Sequence, residues 1–557
     1  MVVAGAAAFG FWAWQRTDAA QLQAQCDHQG EAIAGVWSAA VAEGTRAAFI
    51  GSGVPHASQT WDRVAPRLDR YADQWRSASA ELCRRRDIGH SIEPRLASAS
   101  AECLDEHRER LADLVLQLGD PDAATIDNAA QAAASLPVVT ECTDDVQLRN
   151  RAEAPEDPQV RAQLADVRST VSQAWAAHST GRYETALARA EDALAQAEVL
   201  GWVPLTVEIR LALGAAQEAL GRYADAEATY ERAYFDAGAL GLDLDAQRAA
   251  NGLTYVVGHE LDRHAEGLRW GRVAQMLGRR LGLGEHLVQA DTLGNLGAVH
   301  LARMRYDEAL PLLREALAMR EAILGPDHVQ TADSISSIGV VHQARTAYED
   351  AIEAHQRALA IRERSLGPDH PAVADSLSAI GNSYTSLGRY DEARETFERA
   401  LSIQERGLGP EHPDIAQTLA NVARTCSLVA DHEGARVARE RALKILEASL
   451  GPEHPDVGSA LQDLGLTRIS LSDFTGSIEA LERALRIREA SAVPPLDLAE
   501  TLFTLGQVLY ENGGDKRRGY DLAKRGYDLF RAQGDGSEVI TTVVASWLQG
   551  HPRPPDE

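Results

Sequence analysis

The sequence predicts an all-α protein, a helical-hairpin head followed by a solenoid of stacked helix pairs, and two recurring phrases with one periodicity predict it. The first phrase reads Gly325-Pro326-Asp327-His328, Gly367-Pro368-Asp369-His370-Pro371, Gly409-Pro410-Glu411-His412-Pro413 and Gly451-Pro452-Glu453-His454-Pro455, each copy 42 residues after the last. The second keeps the same step out of register: Tyr306-Asp307-Glu308-Ala309, Tyr348-Glu349-Asp350-Ala351 and Tyr390-Asp391-Glu392-Ala393, then worn copies at His432-Glu433-Gly434-Ala435 and Phe474-Thr475-Gly476-Ser477. Between these marks apolar residues fall at helical spacing, as in Ala374, Leu377, Ile380, Tyr384 and Leu387. A fixed period of this size is the signature of stacked repeats.

Each mark has a physical reading. Gly367 can take the positive φ needed just past a helix, Pro368 forbids continuation, and Pro371 has its φ pre-set for a first helical turn. Inside the unit, Gly388-Arg389 ends one helix and Asp391-Glu392 places carboxylates on the positive end of the next. Small residues such as Gly381, Ala393 and Ala400 allow close approach. One hairpin cannot cover its own apolar face, so neighbours must stack.

The run Gly388-Arg389-Tyr390-Asp391-Glu392-Ala393, followed by Phe397-Glu398-Arg399-Ala400-Leu401, resembles the tetratricopeptide repeat. The step and the Leu-Gly-Pro-Asp/Glu-His-Pro linker resemble its kinesin-light-chain variety, with longer helices than the usual repeat of about 34 residues. The resemblance implies a right-handed superhelical solenoid that binds a protein or peptide on its concave face, lined by the first (A) helix of each pair. In that family, asparagines in a Leu-x-Asn-Leu-Ala setting contact the backbone of an extended peptide. The matching positions are Asn295 and Asn421; Ser337 and Asp463 stand at the same register and, like Ala379, depart from the pattern.

Of the 557 residues, 45% are hydrophobic and only 5% aromatic, which suits helices packed through small side chains. A formal charge of -27 argues against nucleic acid as a partner, since phosphate binding needs clustered Lys and Arg. Residues 1–15 are uncharged as far as Trp14 and end in two tryptophans, Trp12 and Trp14. The stretch is too short for a bilayer, which needs about 20 apolar residues. Two readings stay open: the last part of a membrane helix whose beginning lies upstream, giving membrane anchoring, and an apolar tail.

Residues 16–150 read as a four-helix head, with helices near Asp18–Ile50, Ser58–Arg86, Ile92–Leu118 and Asp122–Leu136. Four of the five cysteines lie in it. Cys26 and Cys83 are nearly equidistant from the turn near Pro55, so an antiparallel hairpin brings them level; Cys103 and Cys142 pass the same test if the chain after Pro137 continues away from the turn near Gly119. Two disulfides and an oxidising compartment are therefore expected, against the alternative of four buried thiols in a cytoplasmic domain. A zinc site is disfavoured because no two of these cysteines have Cys-x-x-Cys spacing. The set Cys26, Trp37, Trp61, Leu68-Asp69, Tyr71, Trp75, Cys83, Cys103-Leu104 and Cys142 resembles the segment after the membrane helix in large myxobacterial-type serine/threonine protein kinases. There a cytoplasmic kinase precedes the membrane helix and tetratricopeptide repeats follow it, which implies an inner-membrane protein with its bulk on the periplasmic side.

Residues 151–158 form an acidic, proline-bearing linker. About nine hairpins follow over 159–534, with internal turns at Gly181-Arg182-Tyr183, Gly221-Arg222-Tyr223, Asp262-Arg263-His264 and, last, near Gly513-Gly514. Leu283-Gly284-Glu285-His286 is a worn linker phrase. Residues 535–548 read as a capping helix and 549–557 as a disordered tail.

No residues suggest a metal, a cofactor or catalysis. His328, His370, His412 and His454 stand one repeat apart, about 10 Å by helix packing, too far to share an ion, and are read as helix-start residues. His259 and His264 are five apart where a zinc-protease helix needs four. No phosphate-cradling glycine loop, kinase His-Arg-Asp or Asp-Phe-Gly, or Gly-x-Ser-x-Gly elbow occurs. The expectation is a non-catalytic interaction scaffold; the alternative is the sensory portion of a receptor kinase whose kinase domain is not in this chain.

Overall fold

Among the described residues, nine internal turns are built alike. Each places one residue in the left-handed region: Gly181, Gly221, Asp262, Met304, Thr346, Gly388, Ala430, Ser472 and Gly514. The computed structural model describes residues 21–555 apart from 55–56, 154, 156, 283–285, 492, 513 and 534–537. The apolar stretch 1–15 and most of the worn linker phrase at Leu283–Glu285 therefore lie outside the described residues. Among the described residues no helix is long and apolar enough to cross a membrane.

The fold is all-α and divides into two compact units, one ending at Pro368 and the other beginning at Asp369. The first unit opens with the head: α1 (21–30), α2 (Ala39–Gly51), α3 (Ala57–Cys83), α4 (Pro94–Leu118), α5 (Ala123–Ala134) and the short α6 (Asp145–Arg149). The single helix expected over Asp18–Ile50 is broken. A 3-10 turn at Glu31–Gly35 and an extended Ser38 separate α1 from α2. The cause is tertiary: Trp37 turns into the core, 3% exposed, and its Nε1 donates to Asp69 at 2.8 Å. Trp75 Nε1 donates to the Leu104 carbonyl at 2.6 Å, and Phe49 meets Trp61 edge-on at 5.3 Å. Cys26 is bonded to Cys83 and Cys103 to Cys142, with Cα–Cα distances of 5.3 Å each. Cys142 reaches Cys103 from a 3-10 turn, Val139–Thr143.

Five hairpins follow in the first unit: α7 (Pro158–Ser179) with α8 (Tyr183–Leu200), α9 (Val203–Ala219) with α10 (Tyr223–Leu240), α11 (Asp243–Tyr255) with α12 (His264–Leu281). The last two pair α13 (Leu287–Ala302) with α14 (Tyr306–Leu324) and α15 (Val329–Ala344) with α16 (Tyr348–Ser365). The second unit holds α17 (Pro371–Ser386) with α18 (Tyr390–Leu408), α19 (Pro413–Leu428) with α20 (His432–Leu450), α21 (Pro455–Ser470) with α22 (Phe474–Ala490), and α23 (Pro495–Glu511) with α24 (Lys516–Ala532). A final helix, α25 (Glu538–Gly550), buries Val544 against Ala499 and Phe530. The residues after it are held: Arg553 pairs with Asp521 at 2.8 Å, and Tyr510 donates to the Pro552 carbonyl at 2.9 Å.

The histidines of the linker phrase act at helix starts. The Nδ1 atoms of His328, His370 and His454 accept the backbone N–H two residues on, at 3.1 to 3.2 Å, capping α15, α17 and α21. The glycines of the phrase take a region open to glycine alone, as at Gly325, φ 92° and ψ 161°. In the hairpins α9–α10, α13–α14, α15–α16, α17–α18 and α21–α22 a ring or branched side chain of the second helix lies over a glycine of the first. A Cβ at Gly381 would come within 2.7 Å of Phe397, and one at Gly339 within 2.6 Å of His355. Successive second helices are tied by ion pairs 36 residues apart, including Arg263–Glu227 in the first unit and Arg518–Glu482 in the second. Most are exposed, so each contributes little.

Candidate functional site

The A helices of the first unit carry a polypeptide already, the chain's own head. α4 lies along α7, and the junction is ionic. Glu106 on α4 accepts from Arg151 at 2.6 Å and faces Arg168 on α7 at 3.7 Å; Arg168 also faces Glu208 on α9 at 3.5 Å and lies over the Trp202 ring. Burial pushes the Glu106 carboxyl up, but the guanidiniums of Arg151 and Arg168 outweigh it and hold it below the usual range. At Glu208 burial wins and the carboxyl is raised. Charges removed from water in this way cost several kcal/mol each unless paired, so the four groups depend on one another.

The chain from α5 to α6 and beyond then crosses the starts of the A helices. The backbone N–H of Leu244, at the start of α11, donates to Asn150 Oδ1 at 2.6 Å, a cap that Leu242 cannot supply. His286, at the start of α13, faces Gln147 at 3.1 Å and Asp144 at 3.6 Å. His328 Nε2 donates to the Ala134 carbonyl at 3.1 Å while its Nδ1 caps α15. Arg67 bridges the carbonyls of Ala130 and Ser365 at 3.0 and 3.1 Å. Ala152 packs among Val207, Leu242 and Ala246. Between head and repeats this leaves a cavity of about 460 Å³, walled by α4, the 135–152 segment, α7, α9 and α11.

The four expected peptide-contact positions lie one per A helix. Asn295 on α13 spends its amide on the Asn251 carbonyl of the preceding A helix at 3.1 Å. Ser337 on α15 donates to its own turn, the Asp333 carbonyl, at 3.0 Å. Asn421 on α19 is buried and lies 3.5 Å from Arg424. The Asp463 side chain on α21 is exposed, and its carbonyl accepts from Arg439 at 2.8 Å. The residues that hold the head (Glu106, Gln147, Asn150, Arg168 and Glu208) were not singled out from sequence. The one local hint is the charged run Asp105-Glu106-His107-Arg108-Glu109-Arg110 on α4, just after Cys103. The turn residues Arg182, Arg222 and Arg389 each meet a carboxylate: Asp122 of the head, Asp225 and Glu392.

Residues 288–364, 335–406, 375–448 and 431–490 match one form of the family described as Tetratricopeptide repeat, and residues 171–241 match another. The chain carries tetratricopeptide repeats. Among solved structures, this repeat protein is similar to BtubC (BKLC) from P. vanneervenii, 23% identical over 46% of this chain and 94% of that one, TM-score 0.37. It is similar to a Podosopora anserina protein described as a kinesin light chain with nearly identical TPR-like repeats, 22% identical over 38% of this chain and 100% of that one, TM-score 0.34. RapI in its apo form is 14% identical over 68% of this chain and 99% of that one, TM-score 0.48. No curated protein matches the tetratricopeptide chain.

Proposed function

We propose that the protein is a non-catalytic interaction scaffold that binds a protein or peptide along the face lined by its A helices. The observation that supports this is the head itself. In the first unit, polypeptide from Ala134 to Ala152 is held by helix-start groups and side chains of the A helices α9, α11, α13 and α15. In the second unit the A helices present Asp375, Gln417, Arg424 and Asp463 to solvent, a polar row suited to a chain with both donors and acceptors. The test is selection of displayed peptides against the full chain, followed by affinity measurement. Asp463→Lys and Arg424→Glu are expected to weaken the selected peptides roughly tenfold, while Glu395→Lys on α18 leaves them unchanged. Peptides indifferent to both A-helix changes would remove the reading.

A second reading, the extracytoplasmic regulatory part of a serine/threonine kinase, has one observation in its favour. The residues that carry that resemblance (Trp37, Trp61, Leu68, Tyr71, Trp75 and Leu104) are all buried, Trp37 beside Trp61 and Trp75 bonded to the Leu104 carbonyl, in the head that the two cysteine pairs close. It places the head and repeats in an oxidising, periplasmic compartment. Alkylation of the denatured native protein would then label one thiol without reductant and five with it. Five labelled without reductant would end the compartment assignment, and the coding sequence upstream of Met1 decides the kinase itself.

A further inference from the structure

The cavity between head and repeats contains a guanidinium whose N–H groups are not engaged by the described residues. Arg110, on α4, is withdrawn from bulk solvent inside the 460 Å³ space, and burial pulls its pKa down. It makes no hydrogen bond or ion pair with any described residue. The Trp175 ring lies beside it, 5.8 Å from Cζ to centroid, and the carboxylates of Glu106 and Glu208 attract its charge from beyond ion-pair distance. The other arginines of the wall are spoken for: Arg151 and Arg168 by Glu106 and Glu208, Arg248 by Asp245 at 3.2 Å. One turn before Arg110 stands His107, 6% exposed, whose Nδ1 also has no partner among the described residues. Burial and the Arg110 charge pull its pKa to about 3, so the ring is neutral near pH 7 and can donate one proton to a hydrogen bond.

The carboxylates of Glu106 and Glu208 offset part of the cost of a charge placed here but leave its N–H fork without a hydrogen bond, and a guanidinium is matched best by the two oxygens of an oxyanion. Beside it the wall is apolar and aromatic, with Trp175, Leu211 and Val171. We propose that this cavity binds a small organic carboxylate, its oxygens on Arg110 and its apolar body against Trp175 and Leu211. The volume falls within the range of ordinary small-molecule sites. Carboxylate is favoured over a phosphate because Glu106, Glu141 and Glu208 share the wall, and a dianion would meet their repulsion more strongly. The inference does not depend on a partner binding the A helices. Because the walls come from both head and repeats, the bound molecule also ties the two together.

The experiment is fluorine NMR on the full chain with three probes: para-fluorobenzoate, its uncharged twin para-fluorobenzamide, and para-fluorophenyl phosphate. The benzoate resonance is expected to broaden and shift, the amide to stay sharp, and Arg110→Gln to weaken benzoate roughly tenfold or more, with Arg110→Lys intermediate. Thermal unfolding of each variant checks that it folds, and the benzoate–benzamide comparison needs no variant. Equal response to benzoate and benzamide, no response to either, response to the phosphate alone, or full benzoate affinity in a folded Arg110→Gln would each overturn the proposal.

Discussion

Thr346 sits at φ 60°, where a β-branched residue is strained by its Cβ, while Gly388 holds the same turn position one repeat later at φ 75° without that cost. Thr346→Gly should therefore raise stability by about 1 kcal/mol, the left-handed penalty less the glycine's extra chain entropy, measured by chemical unfolding. His355 is the second residue-scale case. It occupies the place over Gly339 that Phe397 fills over Gly381, with neither ring nitrogen hydrogen-bonded among the described residues. Burial lowers its pKa to about 4, so the folded chain holds fewer protons than the unfolded one between pH 4 and 6.5. The His355 contribution is thus present above about pH 6.5 and is lost as pH falls toward 4, a change of about 3 kcal/mol. His355→Phe should flatten that fall, and unfolding at pH 7 and pH 5 would show it. A variant that keeps the same pH slope would refute the assignment. Nothing in the sequence marks the position, because a lone histidine does not declare whether its nitrogens find partners.

At the scale of the element, the repeat punctuation was legible because it is local chemistry. A glycine past a helix, a capping histidine and a proline in the next first turn all act within a few residues. His454→Ala tests this part: loss of the cap on α21 should cost about 1 kcal/mol, seen in unfolding, with no change in helix content at 25 °C. The break between α1 and α2 was not legible. Residues 31–38 contain no proline, and what turns the chain there is the pull of Trp37 toward Asp69, 32 residues away. The end of the chain differs in the same way. Its prolines read as a loose tail, yet Arg553 and the Pro552 carbonyl find partners on α24 and α23. Composition reports what a segment can do alone, not what a distant helix offers it.

At the scale of the molecule, the sequence disclosed that there is a head and that there are repeats, but not that one is seated on the other. Nothing periodic marks Asn150, Gln147 or Glu106, and their partners lie 94, 139 and 62 residues further along the chain, at Leu244, His286 and Arg168. The sequence-derived site positions were drawn from a pattern of peptide contact, and at Asn295 that amide is already engaged by the neighbouring repeat. In the first unit the starts of the A helices are used nonetheless, by the head. The most direct test places Gln147→Cys and His286→Cys together in the full chain and treats it with a short thiol-specific crosslinker. Seating of the head on the A helices predicts one intramolecular link between peptides containing residues 147 and 286; both thiols singly modified with no link between them would contradict it.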